Sequence, residues 1–272
     1  MNVRWLALAA LVGATGCEVS TARGLLPIAG RSRLVTYGDH EEASVDFEMA
    51  VEVVDGEHIH LPVKFLFDVD GQTGPWVEWH PVGVKHDGSW RLSSSGELLA
   101  GVHQRISGPR SAQVGGFQTA FSAEAFAVFP HGGAKPARWP GVVENEEGYF
   151  VLGAGEIGNE QVTLALNLGA GVGGRPGRTG KSGRVLGGGA LTYALQTTGI
   201  DYATEPSRVT LESFWTHDPI DDRTLAELSF GVSLWLGVVE LDMGYRRGLT
   251  DGVPQDVFYI GIRSRAFDTF SF

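Results

Sequence analysis

The ten residues from Val45 to Val54 alternate strictly, and the recurrence of that alternation down the chain constrains the fold more than any other feature. Val45, Phe47, Met49, Val51 and Val53 share one face, while Asp46, Glu48, Ala50, Glu52 and Val54 share the other. Successive side chains of a strand point to opposite sides, so this is a strand with an apolar face and an acidic face. Asp55-Gly56 supplies a tight turn. The next run sets Ile59, Leu61, Val63, Phe65 and Phe67 against His58, His60, Pro62, Lys64 and Leu66. The polar faces of these two strands carry opposite charge and meet across the hairpin.

The same period marks Val162–Leu168, Arg208–Thr216, Ala226–Leu236, Val239–Arg246 and Phe258–Arg265. Weaker candidates are Pro75–Val84, Glu97–Ile106, Phe117–Phe129, Tyr149–Glu156 and Arg184–Gln196, giving twelve strands in all. No helical periodicity of comparable length follows the N-terminus. A soluble sandwich would pack the apolar faces together. An outer-membrane barrel would turn them to lipid and line its lumen with the polar faces. Segment lengths near the nine to eleven residues of a tilted membrane strand favour the barrel. So does the mixture of Gly, Ser, Ala and charge on the polar faces, in a chain with 39 glycines among 272 residues and only 19% charged. The expected fold is all-β, an antiparallel transmembrane β-barrel of about twelve strands over residues 43–272, with 17–42 as an N-terminal extension.

Loop lengths agree with that expectation. With the N-terminus on the periplasmic side, the outer loops are 55–57, 85–94, 131–146, 173–183, 218–222 and 249–254. The inner ones are 69–74, 108–116, 157–159, 198–204 and a short turn at Gly237. Long loops thus fall outside. Trp76, Trp79 and Trp235 cluster near the inner interface and read as part of an aromatic girdle. Phe270-Ser271-Phe272 supplies the terminal aromatic common in such strands.

Residues 1–16 have the layout of a secretory signal peptide: Arg4, an apolar core from Trp5 to Val12, then small residues. Two cleavage readings stay open. Ala14-Thr15-Gly16-Cys17 resembles a lipobox with Ala14 where Leu is usual, which would lipidate Cys17, while ordinary cleavage fits after Gly16 or Ala22. Cys17 is the sole cysteine, so no internal disulfide is available. Net charge is −11, which argues against a nucleic-acid partner.

Motifs for chemistry are weak. Gly174–Ser182 (GRPGRTGKS) has five residues between its first Gly and Gly180, and a strand rather than a helix follows, so it is not a phosphate loop. His58 and His60 share a face near Glu48 and Glu52, a spacing that can ligate zinc, but a lumen hydrogen-bond network explains it better. There is no Gly-x-Ser-x-Gly elbow and no His-Glu-x-x-His. No catalytic residue, metal site or cofactor is expected. Instead the lumen face carries Asp46, Glu48, Glu52, His58, His60 and Lys64. The last hairpins add a charge ladder: Glu240 and Asp242 against Arg263 and Arg265, continued by Glu227 and Arg246. Charges inside a narrow barrel need partners.

Gly244–Gly252 (GYRRGLTDG) followed by Gly261–Phe267 (GIRSRAF) resembles the terminal hairpin of outer-membrane barrels of the phenol-degradation, MetA-pathway transporter family. Leu61-Pro62-Val63 before the strand at Trp76–Val82 is similar to an early hairpin of that family. The likeness covers most of 43–267 in strand order and departs at 131–157. It implies transport of small apolar or aromatic molecules. The expected function is a passive channel or transporter for small solutes in the cell outer membrane, with membrane lipids and the barrel-assembly machinery as partners. A plugged structural or binding barrel, or a soluble periplasmic sandwich lipoprotein, are the alternatives.

Overall fold

The computed structural model describes residues 44–55, 58–68, 73–86, 89–107, 113–114, 117–130, 148–158, 162–174, 180–195, 207–236, 239–251, 253 and 255–266. The signal peptide, Cys17, the extension, the 131–146 loop and the terminal aromatics lie outside them. Twelve strands form one antiparallel sheet, each paired with its sequence neighbour. They are β1 (Ser44–Val54), β2 (His58–His60 and Val63–Asp68), β3 (Thr73–His86) and β4 (Ser89–Ser107). Next come β5 (Phe117–Pro130), β6 (Gly148–Gly158), β7 (Val162–Gly174) and β8 (Lys181–Leu195). The last four are β9 (Ser207–Asp218), β10 (Arg223–Leu236), β11 (Val239–Gly248) and β12 (Asp256–Ala266). A two-residue piece, Gln113–Val114, pairs with the start of β5 inside what the sequence reads as a loop.

The sheet closes on itself. β1 pairs with β12 from Val45↔Ala266 to Val54↔Val257, so neither end strand of the sheet is left as an edge. Closure decides between the two expected architectures, because a sandwich needs two sheets with free edges. The faces agree. Leu164, Leu166, Leu168, Phe230, Phe258 and Ile260 stand exposed on the outside. Their alternating neighbours, among them Ala165, Asn167, Ser229, Tyr259 and Gly261, are buried within. An exterior of this kind, with neighbouring strands paired around the whole ring, is that of an outer-membrane β-barrel.

Three details differ from the sequence expectation. Residues 85–86 and 89–94, expected within a loop, are strand: β3 and β4 stay paired out to Lys85↔Trp90 and His86↔Ser89. Trp76 points into the barrel at 2% exposure, not to the interface, whereas Trp79 does face outward. An outward parity at Trp79 forces Trp76, three residues away, to the inside. Finally, β2 breaks at Leu61-Pro62, where proline has no N–H to give the ladder. Neighbours bridge the gap through Ala50 N to Pro62 O at 3.0 Å and Leu61 N to Pro81 O at 3.0 Å.

Candidate functional site: the lumen wall

Antiparallel pairing places five charged, inward-facing residues directly opposite one another across five neighbouring strands. Glu78 on β3 faces Lys64 on β2, and Lys64 faces Glu48 on β1. Glu48 faces Arg263 on β12 across the closing seam, and Arg263 faces Glu240 on β11. The sign alternates at every step. Directly opposed side chains on one face approach within about 4.5–5.5 Å at Cβ, so each charge has an opposite charge on its flank. Glu240 and Glu78 are 0% and 1% exposed, and carboxylates so placed require such partners. Lys64 Nζ also lies 4.8 Å from the centre of the Trp76 ring, which closes the belt against the apolar wall.

A second cluster sits one layer along the same strands. Arg246 on β11 contacts Glu52 on β1 at 2.8 Å between Nη2 and Oε1, and His60 Nδ1 lies 3.7 Å from Glu52 Oε2. Glu227 acts on the same guanidinium, which stands over the Tyr259 ring at 5.8 Å. His80 and Glu78, two apart on β3 and hence on one face, are joined at 2.5 Å. His103 on β4 stands opposite Glu124 on β5, and both are buried.

Part of the remaining wall is apolar. Trp76, Phe126 and Phe150 form an aromatic slab, with centroids 5.8 Å apart for the first pair and 5.1 Å, stacked, for the second. Leu66, Leu99, Val128, Leu152, Leu186 and Phe214 surround it. The slab depends on two glycines in its row. A Cβ on Gly101 would stand 2.7 Å from both Trp76 Cε2 and Phe126 Cβ, and one on Gly171 would stand 2.3 Å from Phe150 Cδ1.

The sequence-selected residues fall as follows. Glu48, Glu52, His60 and Lys64 line the lumen, with Glu52 opposite His60 and Glu48 opposite Lys64. Asp46 pairs with Arg265 across the seam in backbone register, and His58 pairs with Val54; these three side chains lie outside the description. Glu240 stands opposite Arg263, but Asp242 stands opposite Gly261 rather than an arginine. Glu227 stands opposite Gly248, and Arg246 opposite Ser229 and Val257, so Arg246 reaches Glu52 diagonally over β12. Among the described residues no group of three or more His, Cys, Asp or Glu is placed to hold a metal ion. Sequence reasoning left out Glu78, His80, His103, Glu124, Arg184 and Glu212, all buried inside. Most sit on the weaker strand candidates, where faces had no clean alternation to fix them.

Searches of family models and of curated proteins return no match. Solved structures do match. An outer membrane channel from Pseudomonas putida F1 shares 13% identity and a TM-score of 0.48, over 93% of this chain and 100% of that one. LpxR from Salmonella typhimurium shares 10% identity and a TM-score of 0.46, over 80% and 99%. A loop-deletion form of OmpT, an outer membrane protein of Vibrio cholerae, shares 9% and 0.40, over 82% and 98%. The barrel assignment stands on the closed sheet and its two faces rather than on these likenesses.

Proposed function

We propose that the chain is a narrow, gated conduit for small molecules across the outer membrane. One observation carries this reading: a belt of alternating charge, Glu78–Lys64–Glu48–Arg263–Glu240, facing the lumen at register positions. Ionisable groups at membrane depth are costly, and they mark solute or ion pathways far more often than packing cores. A barrel needing only rigidity would fill its lumen with apolar side chains at lower cost. Twelve strands enclose a lumen between that of a filled eight-strand barrel and an open sixteen-strand porin, consistent with small cargo. The resemblance to phenol-degradation transporters points to apolar or aromatic solutes, and the Trp76–Phe126–Phe150 slab offers them a wall. On this reading the protein catalyses no reaction and needs no cofactor, and the assembly machinery reads the terminal strand β12.

The test is planar-bilayer conductance together with swelling of liposomes that carry the refolded protein. Small, discrete conductance steps and uptake of low-mass solutes are expected. A folded barrel that admits no solute and carries no current overturns the transport reading. The near-zero exposure of Glu52, Leu99 and Glu240 favours a second reading, a sealed structural or binding barrel, which that outcome would support.

A further inference from the structure

Opposite in character to the charge belt is the inner face around Asn167 on β7. The residues beside it in register are Ala154 on β6 and Gly188 on β8, and its inward neighbours along β7 are Ala165 and Gly169. None of these four neighbours has a side chain longer than a methyl group. Asn167 is nevertheless only 6% exposed, and neither its Nδ2 nor its Oδ1 has a hydrogen-bond partner. A Cβ on Gly188 would stand 2.5 Å from the Ser213 carbonyl and 3.2 Å from both Asn167 Oδ1 and Phe214 Cδ2, so any side chain there would crowd the amide. Leu152 and Leu186 flank the next row, either side of Gly169.

A buried amide left without partners bears its whole desolvation penalty, which a leucine of similar size would avoid. An amide presents a donor and an acceptor side by side in one plane, and another amide meets both at once without carrying charge. A carboxylate could satisfy only the N–H side, and it would face Glu156, whose register partner on β7 is Ala165. We infer that Asn167 anchors a lumen niche for an uncharged molecule bearing a carboxamide on a compact apolar body. The carboxamide pairs with the Asn167 side chain, and the body lies against Leu152, Leu186 and Phe214. The inference rests on the conduit reading for how the molecule reaches the niche, not for its binding there.

The experiment is calorimetric titration of the detergent-solubilised full chain with benzamide, and with acetophenone, which keeps the acceptor and lacks the donor. Wild-type protein is expected to bind benzamide. Asn167→Leu should weaken that binding roughly tenfold or more, and acetophenone should bind more weakly by a similar factor, because the polar group is left half-met. Asn167→Ser, which keeps a hydroxyl, decides the matter if the leucine variant does not give a heat-modifiable barrel. Equal benzamide affinity in wild type and variants overturns the inference. So does a folded wild type that shows no heat of binding up to the solubility of benzamide, since the amide then holds water only. Benzamide binding without liposome permeability would sink the conduit reading and leave the niche standing; permeability without binding would do the reverse.

Discussion

Arg246 shows how much one buried side chain can carry in a lumen. It is 1% exposed and contacts Glu52, itself 0% exposed, while Glu227 acts on it from the next strand. Replacing it with methionine leaves two buried carboxylates without the cation they share, a change of the kind that costs about 3–5 kcal/mol. We expect R246M to lower the urea midpoint of the vesicle-refolded barrel markedly, and E52Q/R246M to recover part of the loss. A single variant as stable as wild type would show that the pair is not a structural tie. Glycine positions divide in the same way. Gly101→Val drives a side chain into Trp76, Phe126 and the Ala125 carbonyl, all at 2.7 Å from the added Cβ, and should cost about 1–3 kcal/mol. Gly153→Ala faces outward with its nearest atom at 3.9 Å and should stay within about 0.5 kcal/mol of wild type. Equal unfolding midpoints for the two would refute the slab as a packed unit.

At the scale of elements, alternation made seven strands plainly legible and five more faintly so, because one face of each meets lipid and the other does not. Period two reports which side a residue faces. It does not report which residue stands beside it. The opposite signs of Glu48 and Lys64, and of Glu240 and Arg263, were therefore readable as hairpin pairs, while the step from Glu48 to Arg263 needed the register of a seam joining residues some 200 positions apart. Glu78 was not readable as part of that run, since Pro75–Val84 lacks a clean pattern and Trp76 reads as interfacial until its parity is known. The extension of β3 and β4 through 85–94 escaped for a related reason: Lys85-His86-Asp87-Gly88-Ser89 reads as polar turn sequence, with no apolar alternation across it. Turns are more local. Asp222 holds φ +47° between β9 and β10, a left-handed conformation that disfavours branched side chains. Asp222→Val should cost about 1–2 kcal/mol, and Asp222→Gly should cost nothing measurable, by the same urea titration. Similar losses in both would mean that the carboxylate, rather than the backbone angle, matters at this turn.

For the molecule as a whole, the charge belt and the closing seam are one feature, because Glu48 faces Lys64 within the sheet and Arg263 across the closure. The last contact a barrel makes is the one between its first and last strands, so charge opposed there acts on closure as well as on the finished fold. Glu48→Lys would set three cations in adjacent register positions, Lys64, the new lysine and Arg263, with like charges directly opposed. Glu48→Gln removes the attraction without adding repulsion. The expected order is wild type, then E48Q, then E48K, both in the yield of barrel that migrates fast on unboiled gels and in the temperature at which that species disappears. The glycine content and low charge of the chain point the same way. Lipid on one side and a narrow lumen on the other leave few places for charge, so those few are concentrated in opposed pairs. An E48K protein that closes with wild-type yield and heat stability would show the belt to be indifferent to sign. The five residues would then line the lumen as separate polar groups, and the argument that they mark a pathway would lose its electrostatic basis.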